Sequence, residues 1–451
     1  VTLTENLTDR FIDLLFPFCE MEFSDSILLQ AKRCLIDYLG VTYAGAKLNK
    51  DKTEKLLKSI GTNLGGLIII GYPDRVAILN AALINGLNSH IAELDDGERF
   101  GMFHPGSPIL SALLPFVEQE KLSGADLLKG IIIGYEAAIR VARALQPNLK
   151  DRGFHATGIC GTIGAAVACA SSLSLTASQI KNSFSAAASG ASGMLKVIED
   201  DSSLKPYNAG HAALNGLLAV SMSRAGFQGP DDILGGKRGL LSIFTGQFDA
   251  SLFERKEDDA FMIERIYTKP YAACRHSHPA IEAALKIRQK TGVDPEEIRD
   301  INIRTYRWAV EGHDHINVGS MSSAKMSTPY SVAAALVTGR AGLNEYNPQV
   351  ISNEKIKSLC CKIKIFSDDS LTALVPHKRA AIVEVFTADS SYTERVDIPK
   401  GEPETPLSDQ EIIDKFTGLA AYANKMPEQI SDIIKHVMQI EKSLDKFFEV
   451  L

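Results

Sequence analysis

Up to about residue 265 the apolar positions recur at three- and four-residue intervals, the period of an amphipathic helix. The stretch 26–45, SILLQAKRCLIDYLGVTYAG, predicts a helix that stops at Gly45 as a C-cap. Residues 75–94 and 108–124 predict two more, joined by a loop of different character. Residues 125–145 are apolar almost all round and predict a buried helix. Residues 157–175, 183–195 and 209–226 are rich in Gly and Ala, which suits helices whose backbones approach closely. GICGTIG in the first of these spaces its glycines as GxxGxxG, with no strand before it and no Lys-Ser/Thr after it. It therefore reads as packing and not as a phosphate loop.

Near residue 266 the period changes. Residues 300–307, 362–366 and 380–388 alternate with period two, as half-buried strands do, and helical stretches at 279–292 and 328–340 lie between them. The Pro- and Glu-rich loop 400–408 leads back to helical sequence at 409–423 and 427–451. The expected fold is mainly α: a large all-helical domain with an inserted, smaller α/β (α+β) lid. Its expected bounds are 1–265 for the first helical part, 266–396 for the lid, and 397–451 for a helical return onto the first domain.

At 451 residues the chain exceeds the roughly 250–300 at which one core stops growing, which also favours two domains. A net charge of −7 without a Lys/Arg stripe argues against nucleic acid. Seven scattered cysteines form no CxxC pair, so neither a disulfide framework nor a zinc or iron–sulfur spacing is indicated. Such cysteines, with no N-terminal h-region and no apolar run long enough to span a bilayer, make a cytoplasmic protein without membrane contact the expectation.

Candidate chemistry gathers where helix-like sequence is interrupted. In 93–107, ELDDGERFGMFHPGS, the carboxylates Glu93, Asp95 and Asp96 precede His104. The segment matches neither HExxH nor a calcium loop. On these residues alone a solvated N-capping turn and an active-site loop both remain open. His155 lies in DRGFHATG, Lys205 in LKPYNAG, and His276 and His278 in ACRHSHPA. Taken singly, each histidine is expected to be an ordinary satisfied side chain. Their positions at helix starts and loop ends are where a scaffold collects catalytic groups. His313 and His315 in GHDH have HxH spacing but read as an exposed turn.

Six ordered segments resemble the MmgE/PrpD family. NSHIAELDDGERFGMFHPGSPILSALLPFVE is similar to its "H-x-L-D-F-D-D … H-P" segment, and GFHATGICGTIGAA to "G-F-H-x-T-x-x-x-G-T-x-G-A-A". SLKPYNAGHAALNG, TKPYAACRHSHPAIEA, SAKMSTPYSVAAAL and GEPETPLSDQEIIDKF follow in the family's order, so that the likeness runs over nearly the whole chain. The resemblance implies a helical domain with an α/β lid, a homodimer, and an active site in the cleft between domains that uses neither metal nor organic cofactor. Carried over residue by residue, it implies His104, His155, Lys205, His278, Tyr330, Asp95 and Asp96 as catalytic. Glu93 departs from the family's first Asp, Gly97 stands where Thr is common, the loop before His104 is one residue longer than in the decarboxylases, and Asn208 stands where many members have His.

The family holds 2-methylcitrate dehydratases, cis-aconitate decarboxylases and an iminodisuccinate epimerase. Each reaction develops carbanion character beside a carboxylate, which calls for cations and for groups titrating near neutrality. Lys205 fits the first need, with Arg275 and Arg379 as further substrate-binding cations beside Glu93. The three imidazoles His104, His155 and His278 fit the second. Tyr330 reads equally as a hydrogen-bond donor to substrate and as a buried phenol at a helix start. The leading expectation is a cofactor-independent hydro-lyase on a small tricarboxylate, 2-methylcitrate dehydratase-like. An epimerase or isomerase of an imino- or amino-dicarboxylate follows, then a cis-aconitate decarboxylase, then a non-catalytic polycarboxylate-binding protein.

Overall fold

The computed structural model describes residues 6–61, 65–199, 202–255, 259–442 and 444–451. The chain packs as two compact units. The first comprises Val1–Val197, Leu204–Tyr267 and Ser408–Leu451, and the second Ile198–Ser203 and Thr268–Leu407.

In the first unit the main helices are α1 (Asp25–Leu48), α2 (Ile78–Ile91), α3 (Gly106–Glu120), α4 (Gly124–Leu145), α5 (Ala156–Ser172), α6 (Ala177–Gly190) and α7 (Lys205–Arg224). Side-chain caps set two of the starts. Ser123 and Asp126 form a reciprocal capping box at α4, and Thr176 and Gln179 another at α6, so that orphan amides are satisfied where the apolar period begins. Helix α5 packs against α3, α4, α6 and α7, and every one of its residues is buried. This explains its small-residue composition: the glycines of GICGTIG lie inside a helix, where bulk would hold the neighbours apart. Its larger residues, Ile159 and Ile163, are removed from water at roughly 1.5–3 kcal/mol each.

Two boundaries differ from the sequence reading. Gly45 is not a C-cap, for α1 continues to Leu48. A Cβ at Gly45 would lie 1.8 Å from the Asn88 carbonyl oxygen, so this glycine lets α1 approach α2. The predicted helix at 75–94 starts later, because Arg75–Val76 pairs antiparallel with Leu67–Ile68 and Ala77 is extended. The helical return is part of this unit. In helix Asp409–Tyr422, Phe416 lies against Gly40 of α1, and Lys415 reaches both the Asp37 carboxylate at 2.6 Å and the Leu94 carbonyl at 2.7 Å. No helix among the described residues is long and apolar enough to cross a membrane.

The second unit holds helices α8 (His278–Thr291) and α9 (Thr328–Thr338) with strands β1 (Asp300–Thr305), β2 (Ile363–Ser367), β3 (Ala381–Phe386) and β4 (Ser391–Val396). The strands form one sheet in the order β2-β1-β3-β4. The β1/β2 pair is parallel, with Ile303 opposite Ile365, and the other pairs are antiparallel. Alternate residues of β1 and β3, including Ile301, Ile303, Val383 and Val385, are buried, and α8 packs on β3 and β4. A mainly helical chain with a small mixed α/β unit is thus the observed fold class. GHDH departs from its expected form. Residues 310–313 do make a turn, but His313 within it is buried and its Nδ1 lies 2.8 Å from the Met326 carbonyl.

Candidate active site

The loop between α2 and α3 is held from several sides. Glu93 adopts a left-handed backbone (φ 57°), an unfavourable region for a residue with a β-carbon, costing about 1 kcal/mol or more. Gly97–Glu98 pairs with Ile266–Tyr267, and a Cβ on Gly97 would fall 2.3 Å from the Tyr267 ring. A side chain at position 97 and a tyrosine at 267 therefore exclude one another. Buried Glu98 accepts from Arg143 at 2.7 Å and from the Gly101 amide, which ties down the far side of the loop.

The carboxylates of this loop do different work. The Asp96 carboxyl accepts the Gly106 amide at 3.0 Å, at the start of α3, and the Tyr135 hydroxyl at 2.6 Å. Burial pushes its pKa up to about 7, the Tyr135 bond opposes the rise, and the Asp95 charge adds to it. Asp95 accepts the Ser107 hydroxyl at 2.8 Å and lies 2.7 Å from His90 Nδ1. Glu93 forms an ion pair with Lys205, the first residue of α7.

Three imidazoles surround this loop, and their hydrogen bonds fix where the protons sit. His104 Nδ1 is 2.6 Å from the Asp96 carbonyl oxygen, which can only accept. His104 therefore carries a proton on Nδ1, and in its neutral form the lone pair is on Nε2. His155 stands at the N-cap position of α5, without a side-chain capping bond, and is opposite in kind. Its Nδ1 is 2.9 Å from the Asn208 amide nitrogen, which also faces the Met194 carbonyl at 3.4 Å. Because that carbonyl only accepts, the Asn208 NH2 must be on this side. His155 Nδ1 is then an acceptor and the proton sits on Nε2. Burial holds the His155 pKa well below the ordinary imidazole value, and the nearby His90, Lys205 and His104 push it the same way.

His90, on α2, is the third ring and was not singled out from sequence. Its ring centroid lies 5.0 Å from that of His104 and 5.9 Å from that of His155, and its Nε2 is buried with no hydrogen-bond partner among the described residues. The sequence signal was its spacing of five residues before Asp95, inside a helix that otherwise reads as core. His90, Asp95 and His104 bring donor atoms within 4.8 Å of one another, a set able to hold a cation as well as a proton. His90 Nδ1 and His104 Nδ1 both already face oxygen acceptors, which favours the proton network.

The first unit thus gathers Glu93, Asp95, Asp96, His104, His155 and Lys205, joined by His90 and Asn208. The remaining candidates lie in the second unit. Arg275 is buried against Glu402 at 2.9 Å, donates to the Pro399 and Lys400 carbonyls, and lies 2.8 Å from His278 Nδ1. His278 is fully buried, with Nε2 3.2 Å from the Ala273 carbonyl. The Tyr330 hydroxyl donates to the Glu345 carbonyl at 2.6 Å, and burial raises its pKa. Arg379 is buried and its charge acts on Tyr306. Described alone, these groups brace the second unit: Arg275 fastens loop 399–402, and Tyr330 fastens the turn at Glu345.

The fold and the first-unit cluster define a two-unit, mainly helical protein that presents imidazoles, a lysine and carboxylates together, the equipment for acid–base chemistry on an anionic molecule. The family models "MmgE/PrpD N-terminal domain" and "MmgE/PrpD C-terminal domain" match residues 20–252 and 271–440. The chain belongs to the MmgE/PrpD family. Among its relatives, the cis-aconitate decarboxylase-like protein oryM of Aspergillus oryzae is 26% identical over 98% of this chain and 95% of its own. The cis-aconitate decarboxylase of Homo sapiens is 22% identical over 98% of this chain and 92% of its own. The 2-methylcitrate dehydratase of Escherichia coli is 27% identical over 43% of this chain and 42% of its own.

Proposed function

We propose that this protein is a lyase acting on a small tricarboxylate, and that it eliminates water in the manner of a 2-methylcitrate dehydratase. The observation that carries this reading is the pair of complementary tautomers: a lone pair on His104 Nε2 and an N–H on His155 Nε2, near the Lys205–Glu93 pair. His104 accepts the proton alpha to a carboxylate. Charge develops on that carboxylate, where Lys205 and the His155 N–H stabilise it. The carbon–oxygen bond then breaks, its electron pair leaves with the hydroxyl, and the proton held on His104 completes the water. The low pKa of His155 keeps it neutral near pH 7, so it acts as a hydrogen-bond donor and does not compete for the proton.

Decarboxylation is the second reading, favoured by the whole-chain similarity to proteins named cis-aconitate decarboxylase. There the electron pair of the broken carbon–carbon bond is protonated by the imidazolium of His104, with the same cations in place. Proton NMR of the purified protein with 2-methylcitrate, citrate or cis-aconitate in deuterated water separates the two. Dehydration is expected to replace the methyl doublet of 2-methylcitrate with a downfield methyl singlet, or to give a new vinylic signal from citrate. Release of carbon dioxide from cis-aconitate would move the assignment to decarboxylation. Deuterium entering an amino- or imino-dicarboxylate, added to the same assay, without net reaction would move it to an epimerase, and silence from every tricarboxylate in an intact fold would end the lyase reading.

A further inference from the structure

The second unit contains a set of soft and borderline donors that the acid–base cluster does not use. Cys274, His276 and His313 each offer one ligating atom, and the three atoms lie within 4.8 Å of one another. They come from two separate segments, the start of the short 3-10 helix Arg275–Ser277 and the 310–313 turn, which the fold holds by other contacts. The Cys274 amide donates to the Lys325 carbonyl at 2.9 Å, and the Thr328 amide donates to the His313 carbonyl at 2.9 Å.

The His313 ring is oriented as a metal-ligating imidazole is. His313 gives its Nδ1–H to the Met326 carbonyl at 2.8 Å, which leaves its Nε2 lone pair directed at Cys274 Sγ, 3.8 Å away. A carbonyl on the rear nitrogen that fixes the tautomer is the usual outer-shell arrangement of a metal-bound histidine. His276 Nδ1 is 2.6 Å from the Tyr306 hydroxyl, so a similar rear partner is in place if its Nε2 ligates. The His276 and His313 rings are 5.3 Å apart between centroids.

Magnitude selects the ion. Zinc–sulfur and zinc–nitrogen bonds of about 2.3 and 2.0–2.1 Å at a tetrahedral angle separate the two ligand atoms by about 3.6 Å. The 3.8 Å between Cys274 Sγ and His313 Nε2 needs only a small adjustment. One thiolate with two imidazoles suits zinc, whereas magnesium and calcium demand oxygen ligands.

We propose that Cys274, His276 and His313 form a binding site for a zinc-class divalent cation. On binding, the Cys274 S–H bond breaks, the proton leaves to solvent, and the sulfur lone pair forms the metal bond, with no change of oxidation state. The site stands independently of the lyase reading.

The test uses the untagged full chain after chelation, with cobalt(II) and then zinc(II) added alone. A near-ultraviolet thiolate-to-cobalt charge-transfer band at one equivalent is expected, bleached by zinc and lost in Cys274→Ser and His313→Asn. Cysteine alkylation read by mass spectrometry supplies a measurement that needs no variant. At zinc about tenfold over its dissociation constant, alkylation of Cys274 should slow about tenfold while that of exposed Cys361 is unchanged. Absence of the band, its survival in Cys274→Ser, or equal protection of both cysteines would each overturn the proposal.

Discussion

His104 and His155 carry their protons on opposite ring nitrogens, and one atom of Asn208 accounts for half of that difference. Removing the ring of His104 should lower kcat by about 10²–10⁴-fold, the usual share of a positioned acid–base group, with a far smaller change in KM. Steady-state kinetics of His104→Ala on the substrate found by NMR checks this. The two perturbed groups also give the protein opposite pH responses. The His155 pKa is depressed in the fold, so below the unfolded value of 6.5 the unfolded chain binds more protons and stability falls as pH drops. Asn208→Asp places a carboxylate at His155 Nδ1, raises that pKa, and should shrink the loss of Tm between pH 7.5 and pH 5. Asp96 runs the other way: its folded pKa of about 7 lies above the unfolded 3.8, so the stability of its neutral form is present at low pH and lost as pH rises through 7. Asp96→Asn keeps the Gly106 bond and reverses the direction of the Tyr135 bond, without the charge. Its Tm relative to the parent should therefore climb between pH 5.5 and pH 8.

At the scale of elements, the sequence was informative where period and burial agree. The buried helices α3, α4 and α5 follow their apolar patterns closely, and β1 and β3 alternate visibly. Strand β4, SYTERV, was not recognised, because at the sheet edge only Val396 is buried and no apolar alternation remains to be read. The acidic loop showed its carboxylates and His104 in one stretch. His90 stayed hidden because a lone histidine in a helix is indistinguishable from core until the fold brings Asp95 beneath it. Gly97 carries a related lesson, for its meaning lies in Tyr267, far away in sequence. Gly97→Thr should destabilise the first unit by roughly 1–3 kcal/mol, the usual cost of overpacking. Adding Tyr267→Ala should recover part of it, as thermal unfolding of the single and double variants would report.

For the molecule as a whole, the order of elements along the chain is not their order in space. The first unit is completed only by residues after 407, and these do more than cover apolar surface. Lys415 neutralises the buried Asp37 carboxylate on α1 and holds the Leu94 carbonyl between Glu93 and Asp95. Without it a charge remains buried with its lysine removed, a change costing about 3–5 kcal/mol. Loss of Phe416 and the apolar face around it would add about 3–5 kcal/mol at that residue alone. Together these equal much of the roughly 5–15 kcal/mol by which native domains are stable. A chain ending at residue 407 should therefore lose near-ultraviolet circular dichroism and a cooperative thermal transition. Lys415→Met, which leaves the packing in place, should retain the transition at a lower Tm and still reduce turnover. If the shortened chain unfolded as cooperatively as the full one, the return segment would be an accessory and not the last part of the first unit's core.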